Sequence, residues 1–208
     1  MNNNYKNPYT VALSIAVLTL TLTAQAAVPK NSKMMVSLDQ GKGDVTFLAV
    51  GRPSALKING KGPAPKGSFA VENSKQNPKL SGKIQFSLDA LETGIAMRDR
   101  HMKEKYLETG KFPVAELDLK NIALPQSLPD GDFTLENIAF EAPLTLHGTT
   151  RNVNGRAKIA RAGGHMIVNA EFGLKISDYA ISLPSFAGIT VADEVKINVN
   201  TESPMVVQ

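Results

Sequence analysis

An all-β, antiparallel domain carrying one short helix is predicted by three features of the sequence. Apolar and polar residues alternate in many short runs. Turn-forming residues separate those runs. One charged stretch, "RDRHMKEKYLETGKFP" at 98–113, replaces the alternation with a helical pattern. Period-two alternation marks strands with one face in a core and one in water, the habit of antiparallel sheets. Many such strands at short spacing point to a β-sandwich or a barrel.

The first 26 residues stand apart from this pattern. Lys6 gives a weakly basic start, an uncharged apolar run covers 11–23, and Ala24-Gln25-Ala26 has the small-x-small form of a signal-peptidase site. The run is shorter and richer in Thr than a membrane span of about 20 apolar residues. A secretory leader cleaved after Ala26 is expected, the alternative being an uncleaved N-terminal anchor. No later apolar run is long enough to span a bilayer. The chain has no Cys, so neither a disulfide framework nor a lipid on Cys is available. Export without disulfides fits a periplasm better than a small disulfide-stapled secreted domain. Residues 27–208 are then expected to form a single domain, with no repeat or linker to divide it.

Charge excludes one class of function. The leader removes Lys6 and no acid, so 22 of the 23 Lys and Arg remain against 19 Asp and Glu. No block of like charge occurs, and basic residues are not interleaved with aromatics as on a nucleic-acid stacking platform. Nucleic-acid binding is not expected. Weak attraction to anionic headgroups, and so transient membrane-surface contact, is compatible with the balance.

Strands are expected over 34–39, 44–50, 54–59 and 67–72 on weaker alternation, then over 79–91, where Leu80, Ile84, Phe86 and Leu88 share a face. After the helix come 114–122, 133–147 and 152–161. Pro143 interrupts the second of these and predicts an edge or a bulge there. The run at 165–177 puts Met166, Val168, Ala170, Phe172, Leu174 and Ile176 in one row, and 193–202 does the same with Val195, Ile197 and Val199. Turns are marked by Gly41-Lys42-Gly43, Pro63-Ala64-Pro65, Asn77-Pro78, Pro129-Asp130-Gly131 and Gly163-Gly164. "NGKGPAPKG" at 59–67 lacks the Gly-Lys-Ser/Thr ending of a phosphate loop and reads as a hairpin connection.

The helix is at most about three turns long. Met102 and Tyr106 lie four apart on one face with Leu107 beside them. Asp99 is placed to cap the first N–H groups, Gly110 to take the left-handed closing position, and Pro113 to prevent continuation. The apolar face should cover one end or side of the sheet.

Chemistry-bearing residues are few. His101, His147 and His165 are the only histidines, with no spacing that suits zinc. His101 reads chiefly as a structural residue bonded to backbone or to Asp99, ahead of contact with a ligand headgroup and, last, of a role as catalytic base or metal ligand. Arg98 and Arg100 can grip a diphosphate or carboxylate through the guanidinium fork, or pair with neighbouring acids. Ser182 and Ser185 lack a nucleophile context. Asp193 and Glu194, adjacent on a strand, point to opposite faces. No catalytic constellation is present in the pattern, and no cofactor or metal is expected.

The stretch "LDALETGIAMRDRHMKEKYLETGKFPVAELDL" resembles the central signature of the YceI-like, polyisoprenoid-binding family, with Arg98, Asp99, His101, Leu107, Phe112 and Pro113 matching. "APLTLHGTTRNV" at 142–153 is similar to the family's later strand-turn, and "ISDYAISLPSFAGITVADEVKINVN" at 176–200 to its closing region. The resemblance covers roughly 33–203. The N-terminal third departs from it: "VTFLAVGRPSALKINGKG" has no His where many members carry one. The resemblance implies an extended, lipocalin-like, eight-stranded antiparallel β-barrel enclosing an elongated apolar tunnel, with the helix closing it. The implied function is carriage of a polyisoprenoid or quinone-like lipid, or of a fatty acid or its amide, without catalysis. The expected contacts are Phe86, Leu88, Met97, Arg98, His101, Met102, Phe112, Phe140, Phe172 and Leu174. In a filled barrel the same apolar residues are core, and the chain is then a stress-response or interaction module without a ligand. The sequence does not set the oligomeric state; a homodimer is compatible with it.

Overall fold

The alternating runs pair into one antiparallel sheet that closes on itself. In the computed structural model the described residues are 32–53, 56–186 and 188–207, so the expected leader lies outside them. The strands in chain order are β1 (Ser32–Ser37), β2 (Lys42–Arg52), β3 (Leu56–Pro63), β4 (Lys66–Asn73), β5 (Lys79–Ser87), β6 (Val114–Ala123), β7 (Phe133–Leu146), β8 (Thr149–Ala162), β9 (His165–Lys175), β10 (Ser185–Phe186), β11 (Ile189–Val191) and β12 (Glu194–Val207). Between β5 and β6, helix α1 (Ala96–His101) runs into a π-helical turn, Met102–Tyr106.

Eight strands make the ring, in the order β1-β4-β5-β6-β7-β8-β9-β12, and β12 returns to β1. β12 does two jobs on one edge. Lys196–Glu202 pair with β2, while Met205–Val207 pair with β1. Its other edge pairs with β9 from Glu194 to Pro204. At the far end the ring is therefore completed by β1 and β4. At the helix end it is continued by the β2–β3 hairpin, and β3 reaches the segment after β5 through reciprocal bonds between Lys61 and Glu92, both 2.8 Å. β11 and β10 extend the sheet beyond β2. "NGKGPAPKG" is mostly strand. β3 runs through Pro63, and β4 pairs with β1 and β5 rather than with β3, so the expected hairpin there does not form.

Two residues in left-handed backbone redirect inward rows. On β7, Phe133 and Leu135 face in, then a bulge at Asn137 (φ 55°) shifts the row to Ile138, Phe140, Ala142 and Leu144. On β6, Asn121 (φ 53°) does the same between Leu119 and Ile122. Asn tolerates this region better than most residues, and a bulge adds one residue to one strand only. Pro143 pairs with Asn152 of β8, while β6–β7 pairing extends only over Glu116–Leu117. Its missing N–H therefore falls where β6 has left β7, the edge position that proline suits.

The far end is sealed by apolar side chains and one buried amide. Met34, Val36, Leu38 and Val71 are almost fully excluded from water, and the β6–β7 loop folds Leu124 and Leu128 beneath them. Asn73, 1% exposed, receives the Leu128 N–H at 2.6 Å and donates to its carbonyl at 3.2 Å. The side chain substitutes for a strand neighbour where the loop has none. Asn73→Ala strands a buried N–H and C=O, and should cost about 2–4 kcal/mol in urea denaturation, whereas Asn73→Asp retains an acceptor and should cost less at low pH, where the carboxyl can also donate.

Candidate functional site

The helix end of the barrel is hollow. A chamber of about 430 Å³ lies between the β2–β3 hairpin, the helix and the loop that follows β9. Phe47 and Ala49 of β2 and Leu56 and Ile58 of β3 form one wall. Opposite them stand Met102, Tyr106 and Leu107, with Ile176, Ile181 and Pro184 of the loop. Val195 and Ile197 of β12 and Ile189 and Val191 of β11 complete it. Polar lining is confined to Thr93, Arg98, His101 and Ser185. Gly60 shapes the wall, because a Cβ there would come within 2.1 Å of the Phe47 ring. Without that side chain the ring can lie against β3.

The helix is held by a clamp on Thr93. Thr93 N–H donates to Asp99 Oδ1 at 2.7 Å, and the Thr93 hydroxyl makes a shorter bond to the same oxygen. Arg98 Nε donates to Thr93 Oγ1 at 2.7 Å and Nη2 to the Thr93 carbonyl at 3.0 Å. Partial burial pushes the Asp99 pKa up, but the two Thr93 bonds and the nearby Lys103 and Arg98 charges outweigh it, so the carboxyl titrates below its usual range. Asp99 thus grips the preceding loop rather than capping the helix; Ile95 is the N-cap and has no side-chain bond. His101 is exposed at the chamber rim rather than buried beside Asp99. The left-handed closing residue is Glu108 (φ 44°), not Gly110. Leu107 N–H reaches back five residues to Met102, and the π-turn consumes the position at which an α-helix would have ended.

A second set of bonds joins the remaining loops. His147 sits at the β7–β8 turn with φ 50°, followed by Gly148 at 72°, the two-residue turn that matches strand twist. Its Nε2 lies 2.9 Å from Glu108 Oε2 and its Nδ1 3.1 Å from the Tyr179 carbonyl. Both partners are acceptors, so the two bonds form together only on a doubly protonated ring or with a protonated Glu108. Lys111 first and His147 second hold the Glu108 carboxyl below the usual carboxylate range. Phe112 packs edge-on against His147, with ring centroids 4.7 Å apart.

The residues expected to meet a ligand fall into four places. Met97, Arg98, His101 and Met102 border the chamber. Phe86, Phe140 and Phe172 line a second, smaller cavity of about 90 Å³ towards the far end. Leu88 and Leu174 line neither, and pack in or against the core between them. Phe112 is outside the barrel interior, on the His147 turn. The β2–β3 wall was absent from the sequence expectation. Its signal was the Leu56–Ile58 alternation, which cannot say that this hairpin borders a hollow rather than a filled interior.

A closed antiparallel barrel with one apolar chamber at its helix end defines a class of hollow small-ligand barrels. The YceI-like domain matches residues 21–203, and the chain belongs to that family. Three solved structures share the fold. BcnA of Burkholderia cenocepacia is 18% identical, with a TM-score of 0.61 over 80% of this chain and 98% of that one. A polyisoprenoid binding domain from Saccharophagus degradans, implicated in plant cell wall breakdown, is 14% identical, with a TM-score of 0.56 over 84% and 98%. The Campylobacter jejuni YceI protein is 15% identical, with a TM-score of 0.52 over 71% and 84%. Comparison with curated proteins finds no match.

Tyr179 supplies a test of the loop packing. It is 1% exposed, and its hydroxyl is buried without a hydrogen-bond partner. Burial first, then Asp178, pushes its pKa from 10.0 to about 12, with Arg151 opposing. The neutral phenol therefore supports the fold below pH 10.0, and that support is lost as pH rises from there towards about 12. Tyr179→Phe should leave stability at pH 7 unchanged or up to about 1 kcal/mol higher, and should flatten the alkaline loss seen in denaturation across that range.

Proposed function

We propose that this chain is an exported, non-catalytic carrier that holds the apolar chain of one lipid in the helix-end chamber. The observation that carries the reading is the chamber itself: about 430 Å³ walled almost wholly by apolar side chains, with its few polar groups gathered around the helix. Ligand sites have this composition and size, roughly 300–1,000 Å³. Family membership and the fold shared with a polyisoprenoid binding domain support a lipid ligand. The finer candidates are a polyisoprenoid, a quinone-like lipid, or a fatty acid or its amide. Burial supplies the affinity, at about 0.8 kcal/mol per methylene. Ten methylenes would give roughly 8 kcal/mol before ordering costs, a micromolar scale. Met97 and Met102 offer adaptable surface to the chain, and Arg98 and His101 stand where a headgroup would emerge. A leader removed after Ala26 would deliver the protein to the periplasm, which N-terminal sequencing of the exported form checks.

Native mass spectrometry of protein from its own compartment, with organic extraction, tests the carrier reading. One apolar molecule per chain is expected. Ile58→Asp puts a charge in the chamber wall at a half-buried position and should lower uptake of added prenyl alcohol at least about tenfold with the circular dichroism unchanged. A clean mass that no prenyl alcohol, quinone or fatty acid alters would transfer the weight to a ligand-free interaction module.

The chamber rim also suits a bilayer. Of the five exposed large apolar residues among those described, Leu56, Ile95 and Met97 border the chamber and Leu183 adjoins Pro184 on its wall, so exposure concentrates at one opening. Arg52, Lys57 and Arg100 are exposed on the same elements. The neighbouring acids are partly answered: Asp99 is bound to Thr93 and Glu92 pairs with Lys61 at 3.2 Å, while Glu104 is exposed. Vesicles containing phosphatidylglycerol should retain the protein in low salt more than phosphatidylcholine vesicles do. Met97→Ser with Leu56→Ser should release it.

A further inference from the structure

The elongated tunnel implied by resemblance is divided in this chain, and the division has a recognisable construction. Three inward rows can be followed from the far end towards the helix. Along β5 and the segment after it, Leu80, Ile84 and Phe86 line the small cavity, Leu88 lines neither space, and Leu91 borders the large chamber. Along β9 and the turn after it, Val168, Ala170 and Phe172 line the small cavity, Leu174 lines neither space, and Ile176 borders the chamber. On β7, Ile138 and Phe140 line the small cavity, and Ala142, fully buried, lines neither. Each row therefore ends its lower section on a phenylalanine. Beyond it comes a residue packed in or against the continuous core. Phe140 and Phe172 meet edge to face, with centroids 6.3 Å apart. Gly155, between them on β8, has no Cβ; one would come within 2.4 Å of the Phe140 ring.

We propose that this waist is a chain-length stop: the protein accepts an apolar chain of roughly 15 carbons in the helix-end chamber and excludes the remainder of a longer one. The inference rests on the carrier reading above. A chain carbon with its hydrogens fills about the space of one water, roughly 30 Å³. The chamber of about 430 Å³ then takes roughly 14 such carbons, and the cavity of about 90 Å³ roughly three. On β12 the two spaces abut, since Ile197 faces the chamber and Val199, the next inward residue, faces the cavity. The obstruction is consequently the work of β5, β7 and β9, and shortening Leu88 and Leu174 is the change that would join the spaces.

The test is a binding series on the leader-free protein with geraniol, farnesol, geranylgeraniol and a long polyprenol, read by native mass spectrometry and competition. In an unobstructed barrel each added isoprene unit should raise affinity at least about tenfold. Here affinity should rise up to farnesol and then stay within about threefold. Leu88→Ala with Leu174→Ala should restore the gain for geranylgeraniol while leaving farnesol within a few-fold; Leu88→Val with Leu174→Val is the milder pair should the first fail to fold. Continued tightening of the unmodified protein beyond farnesol overturns the stop and upholds the carrier. Failure of every prenyl alcohol, quinone and fatty acid to bind overturns both.

Discussion

Everything in this barrel depends on how β12 divides one edge between two partners. A sheet edge left unpaired is a liability, and closure is the complete remedy. Here a strand of 14 residues gives its last part to β1 and its middle to β2. At the helix end β2 and β3 take the place that β1 and β4 fill at the far end, and β3 is joined to the segment after β5 by the Lys61–Glu92 bridge. The chamber lies behind that hairpin, against Phe47, Ala49, Leu56 and Ile58. The helix, the loop after β9, β11 and β12 supply most of the rest of its lining.

The cover is a helix of α and π turns held from two sides. On one side Thr93 donates to the Asp99 carboxylate and receives the Arg98 guanidinium. On the other, His147 ties Glu108 to the loop carrying Tyr179. The chemistry of "RDRH" therefore resolves into separate tasks. Arg98 and Asp99 position the helix, His101 is left at the rim, and Phe112 braces the β7–β8 turn. Among the described residues no three His, Cys, Asp or Glu side chains are grouped to hold a metal, and no helix is long and apolar enough to cross a membrane.

Strand positions were legible because burial imposes period two on each row independently. Leu80 to Leu88 and Met166 to Ile176 could be read without knowing any partner. The points that escaped are those where a local signal had a competitor. Asp99 is a good capping residue, but Thr93 offers it two donors. Gly110 is a good closing residue, but the π-turn ends the helix earlier and Glu108 takes the left-handed position. Asn137 looked like one more polar residue in a strand, yet it moves the rest of β7 by one position. The chamber escaped for a different reason. Whether an inward row lines a space or fills one depends on what faces it across the barrel, and that distance is set by strands far apart in sequence.

The contrast between the two ends of the interior argues that the hollow is selected rather than a packing fault. A sealed apolar void costs about 24 cal/mol per Å³, so a closed space of about 430 Å³ would cost roughly 10 kcal/mol, as much as a domain's whole stability. The same chain packs its far end tightly and builds its waist from Phe and Leu, so large apolar residues were available to fill the space. At the helix end it instead places Ala49 on the wall and Gly60 under Phe47, which turns a bulky ring into a lining. The chamber opens at its rim, so solvent relieves that cost. Water there meets few polar partners, and displacing it with an apolar chain would be favourable, which supports the carrier proposal.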